Sequence, residues 1–167
     1  NKAAKDFSES TGLSLNQSRQ QLENAREAVA NMNTMYATAE DVLAVQKEMV
    51  DEFGTTLVMT SEQAAATADI GEAFGYGAEN AGKVNAQLMK IGASVDEANE
   101  IQTFTAALAE AEGVAPGKVM DDIANNAGEA AKYFKGGLKE LTKAAVEAAK
   151  MGMSLESMTA VADDLLN

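Results

Sequence analysis

Gly12-Leu13-Ser14-Leu15, with Gln17 just beyond, spells a complete joint between two helices. Glycine accepts the positive φ that often follows a helix end. Leu13 is placed to pack back on the preceding helix, Ser14 to cap the next, and Leu15 to begin its buried face. Gln17 stands three residues past the cap, where its side chain reaches back to the Ser14 N–H. The phrase returns as Gly92-Ala93-Ser94-Val95, with Glu97 in the reciprocal position, and as Gly152-Met153-Ser154-Leu155. Two origins stay open: convergence of any helical array on one joint, or an internal repeat of unequal spacing.

Outward from these joints the punctuation continues. Gly54, Gly75, Gly113 and Gly136 each follow a helical run, Thr38 pairs with Asp41 and Thr60 with Gln63, and Pro116 suits a first helical turn. The pattern predicts helices over 15–35, 39–53, 61–74, 78–91, 95–112, 116–126, 128–135, 137–151 and 155–166. The expected fold is all-α, a bundle or array of eight or nine short helices with no sheet. Short connections favour antiparallel neighbours. The expected division is a helical region over 1–92 and a second over 93–167.

Composition agrees with helix and restricts chemistry. The 167 residues hold one Pro, and the 46% hydrophobic content contains 33 Ala against five Phe, three Tyr and no Trp. Alanine favours helix but buries little area, so a modest core with close helix contacts is expected. With no Cys and no His, disulfides, thiolate nucleophiles, Cys/His zinc sites and imidazole bases are excluded. The 26 acidic and 13 basic residues leave a net charge of −13, which opposes DNA and anionic membrane surfaces. No apolar run approaches the ~20 residues of a bilayer span. Asn1-Lys2-Ala3-Ala4-Lys5-Asp6 opens without an initiator Met or an apolar leader, and the last residues are Leu165-Leu166-Asn167. Both ends read as cuts in a longer protein.

The expected first helix carries one apolar seam: Leu15, Leu22, Ala25, Val29, Met32 and Tyr36, with Ser18 as its polar break. Steps of three and four put these residues on one face, a heptad-like stripe suited to a partner helix or a second copy of the chain. The candidate helix joints are Gly12, Ser14, Gly92, Ser94, Gly113, Pro116, Gly152 and Ser154.

No motif assembles a reaction. Neighbours such as Asp121-Asp122 and Asp163-Asp164 point about 100° apart on a helix, so they read as solvated surface rather than a cation site. Gly75-Tyr76-Gly77, with Gly82 later, fits neither phosphate-loop spacing, and no strand precedes it. Gly71 and Gly82 lie inside helices, where they permit close packing or a change of shape. Lys132, Lys135, Lys139, Lys143 and Lys150 form a stripe without aromatic interleaving, which reads as the wet face of a helix whose buried side is Leu138, Leu141, Ala145 and Ala148. The nine Met suit irregular packing. No enzyme, cofactor or metal site is expected.

Gly113-Val114-Ala115-Pro116, Asp121-Asp122-Ile123-Ala124-Asn125-Asn126, Ala148-Ala149-Lys150-Met151-Gly152-Met153-Ser154-Leu155 and Ala162-Asp163-Asp164-Leu165-Leu166-Asn167 together resemble a segment of tailed-phage tape-measure proteins. The match is tightest over 113–167; before that it rests on the Ala-rich, Gly-punctuated style of the chain. The resemblance implies a virion structural protein in the lumen of the tail, made in the host cytoplasm, that sets tail length during assembly and leaves as the genome is ejected. It implies several copies, tail-assembly chaperones and then tail-tube protein as partners, and attachment to a baseplate or tail-tip hub. It carries over no catalytic residue. The alternative reading of the residues is a cellular helical protein–protein interaction module, an adaptor or secreted effector.

Overall fold

The chain is all-α. The structure, a computed structural model, describes residues 1–166; Asn167, the end of the Ala162 to Asn167 phrase, lies outside the described residues, as do the side chains at 162, 163, 165 and 166. Among the described residues there are nine α-helices and one 3-10 turn, and no strand. None of these helices is long and apolar enough to cross a membrane.

The chain divides into two compact units, Asn1–Ala86 and Gln87–Asn167. The division falls inside a helix, α5, and not at the Gly92 joint. In the first unit, α1 (Lys2–Thr11) packs on α2 (Leu15–Met32) and α3 (Ala39–Phe53), while α4 (Ser61–Ala73) packs on α2 and α3. α5 (Ala78–Lys90) approaches α3 through Gly82, where an added Cβ would stand 3.2 Å from the Glu48 side chain. The core is built on Leu22, Val42, Val45, Met49 and Val84. In the second unit α6 (Val95–Ala111), α7 (Pro116–Ala130) and α8 (Leu138–Lys150) pack on one another, and α9 (Leu155–Leu166) rests on α7 and α8. Ile101, Val119, Met120, Ile123, Leu141 and Leu155 fill its centre.

Half of the buried apolar residues that the structure describes are alanines. The larger ones therefore carry most of the burial energy, at about 1.5–3 kcal/mol for each fully buried Leu, Ile or Met. Gly71 shows why small residues matter here. It donates closeness: a Cβ there would overlap the Gly77 carbonyl, and the Gly71 carbonyl accepts from the N–H groups of Tyr76 at 3.0 Å and Gly77 at 2.9 Å.

Three expectations need correction. The Gly12 joint implies a helix before it, but the predicted set gives that helix, α1, no bounds; only Ala4 and Phe7 of its ten residues are buried. So short a helix owes its existence to packing rather than to an apolar stripe. Helix α2 stops at Met32, not near 35, because Asn33 adopts left-handed geometry at φ 51°. Asparagine tolerates that conformation and its N–H closes on the Val29 carbonyl. Finally, the predicted break near 127 does not exist. Gly128 lies exposed inside α7, whose buried face, Ile123, Ala127 and Ala130, runs straight past it. The 3-10 turn Ala131–Tyr133 follows.

Candidate functional site

The joints are the most completely built features of the chain. Gly12, Gly92, Gly113 and Gly152 take φ of 78°, 113°, 76° and 72°. The Ser14 hydroxyl accepts from the Gln17 N–H at 3.1 Å, and the Gln17 amide oxygen accepts from the Ser14 N–H at 2.9 Å. Ser94 and Glu97 form the same reciprocal pair. Thr38 with Asp41 and Thr60 with Gln63 repeat it at α3 and α4. Pro116 opens α7, whose preceding residue Ala115 offers no side-chain cap.

At the third joint, Ser154 accepts from the Ser157 N–H at 3.2 Å, and help comes from another helix. Both carboxylate oxygens of Asp122, on α7, accept from the Leu155 N–H, at 3.1 and 2.9 Å. Asp122 thus clamps the start of α9 onto α7. The expectation of solvated surface fits exposed Asp121 but not half-buried Asp122. A second carboxylate does similar work in the other unit. Asp69, on α4, accepts from the N–H groups of Met35 at 3.4 Å, Tyr36 at 2.7 Å and Ala37 at 2.9 Å. Sequence reading missed both clamps, since no local pattern joins residues more than thirty positions apart.

The seam is divided. Leu22 and Ala25 are buried among the unit's own helices, joined there by Ser18 and Ala28. Val29 is half-buried, whereas Leu15 and Met32 are exposed. Tyr36 lies beyond the helix, exposed on the loop that Asp69 holds. The middle of the seam therefore serves the interior of its own unit, and only its ends face solvent.

The lysine stripe is largely paired. Lys139 reaches Glu100 at 3.7 Å, Lys150 reaches Glu112 at 2.8 Å, and Lys132 and Lys143 meet Glu129 and Glu140 at 3.0 and 3.8 Å. Lys139 and Lys143 also stand 5.5 and 5.9 Å from the Phe104 ring centre, in cation–π range. Leu141, Ala145 and Ala148 are buried on the opposite side, and Leu138 is half-buried.

One carboxylate is displaced from its usual titration. Glu48 is buried beneath Gly82, and that burial raises its pKa; Lys47 and Lys83 oppose the rise, while Asp51 and Glu79 add to it. Among the described residues, no three acidic side chains gather where they could hold a metal ion. No protein-family model, no curated protein and no solved structure matches the chain.

Proposed function

We propose that this chain is a helical structural segment of a tailed-phage tape-measure protein, acting in the tail lumen to set tail length and then leaving with the genome. The observation that supports it most is the region 113–167. The phrases there that resemble the family coincide with the working parts of the fold: Pro116 opens α7, Asp122 clamps α9, and Gly152 and Ser154 form the joint between α8 and α9. The charge of −13 suits a protein that shares a tube with DNA without sticking to it. In this reading tube protein, chaperones and a hub are the partners, and several copies act together.

A second reading, a cellular interaction module, draws on one observation: Met35 and Tyr36 are displayed to solvent on a loop that Asp69 holds in place. Mass spectrometry of particles separates the two. The tape-measure reading predicts peptides of this chain in DNA-filled virions and their depletion from tails that have ejected. Peptides confined to the cell lysate would overturn it.

A further inference from the structure

We infer that the contact between α3 and α5 at Glu48 and Gly82 is a proton-controlled latch, in which residues 78–86 seat more tightly on α3 once the Glu48 carboxylate takes a proton. The inference goes beyond the structural role proposed above and does not depend on it. Glu48 is only 3% exposed, yet among the described residues its carboxylate makes no hydrogen bond. The cation within reach, Lys47 Nζ, stands 3.9 Å away and is bound more closely, at 2.9 Å, to Asp51. A carboxylate so buried and so poorly paired gives up hydration without full return. Gly82 closes over it: an added Cβ there would stand 3.2 Å from both Cβ and Cγ of Glu48 and 3.3 Å from the Val45 Cα. The backbone of α5 therefore lies directly on the stem of Glu48, and the same approach that seats α5 keeps water from the carboxylate.

The charges that act on Glu48 come from both sides of this contact: Lys47 and Asp51 from α3, Lys83 and Glu79 from α5. No charge of α1, α2 or α4 is among them. The two lysines favour the ionised form; the two acids favour the neutral one, and so does burial, the largest influence. Lys83 is itself turned toward Glu79, at 3.7 Å. At neutral pH the ionised carboxylate thus burdens the segment that covers it. Lifting 78–86 returns water to the charge, a local opening that needs no global unfolding. A proton on Glu48 removes that reason to lift. The folded carboxyl holds its proton above the ordinary 4.5, so the tightening is complete below that value and is lost as pH rises through the raised one.

The test is amide hydrogen exchange of the full chain at pH 5 and pH 8, each rate divided by its intrinsic value at that pH. Protection at 82–86, taken relative to the α2 amides at 22–28, is expected to be about threefold or more higher at pH 5. Glu48→Gln keeps the shape without the charge and is expected to show the same relative protection at both pH values. Lys83→Met removes a cation that favours the ionised form, so it is expected to widen the difference between them. Should Glu48→Gln not fold, Lys83→Met decides alone, because its substitution lies on the half-exposed side of α5. Relative protection in the parent that does not change with pH, a change that persists in Glu48→Gln, or a difference that fails to widen in Lys83→Met would each overturn the latch.

Discussion

Gly71 and Gly128 are both helical glycines, and they should answer alanine in opposite ways. A Cβ at Gly71 would collide with the Gly77 carbonyl and come within 2.9 Å of Ala81, whereas one at Gly128 would meet nothing within 4 Å. Gly71→Ala is expected to destabilise by about 3 kcal/mol, as overpacking does. Gly128→Ala should stabilise by about 1 kcal/mol, the ordinary difference in helix propensity. Urea unfolding of the two variants checks both. Glu48 gives a prediction with a pH axis. Its pKa in the folded chain lies above the ordinary 4.5, through burial first. The folded state therefore holds this proton more tightly than the unfolded chain, and stability from this group rises as pH falls from neutral toward 4.5. Glu48→Gln should raise the Tm at pH 7, and the advantage should fade as the buffer is acidified through the raised pKa. A constant difference at every pH would mean that charge is not its cause.

At the scale of elements, two carboxylates hold what the helices alone do not. Asp122→Ala removes the acceptor for the Leu155 N–H and should cost about 1–3 kcal/mol, the range for a buried group losing a charged partner. Hydrogen exchange should quicken across α9 more than across α6, and Asp122→Asn, which keeps one acceptor oxygen, should restore part of the protection. Uniform quickening through α6, α7 and α8 would contradict a local clamp. These clamps also mark where sequence reading ends. The pair Thr60 and Gln63 is legible because both halves of the box lie within three residues, and the same holds for Ser94 and Glu97. Asp69 looks like any helix-surface acid until folding brings the loop at 35–37 to it. Helix α1 is announced only by the Gly12 joint at its end, since two buried residues make no stripe that would set its start. The break expected near 127 fails in the other direction, because a continuous buried face outweighs the propensity cost of Gly128. Glu48 has no sequence signal at all: a poorly paired carboxylate is a property of its surroundings.

For the whole molecule the decisive quantities are charge and length. A net charge of −13, with Lys132, Lys139, Lys143 and Lys150 already meeting carboxylates, leaves little to attract phosphates. The chain should run through a DNA column at physiological salt without retardation, and firm retention would contradict the proposed coexistence with a genome in one tube. The structure also bears on how such a segment could measure length. Helices of at most eighteen residues among the described residues, most of them separated by left-handed glycines, are not one continuous helix. A ruler made from them must be extended by the tube that surrounds it, with each helical residue contributing ~1.5 Å. The most direct measurement is therefore electron microscopy of tails assembled around the parent protein after in-frame removal of 113–167. Tails shorter by about 80 Å, from ~1.5 Å per residue, are the predicted result; tails of unchanged length would contradict the account.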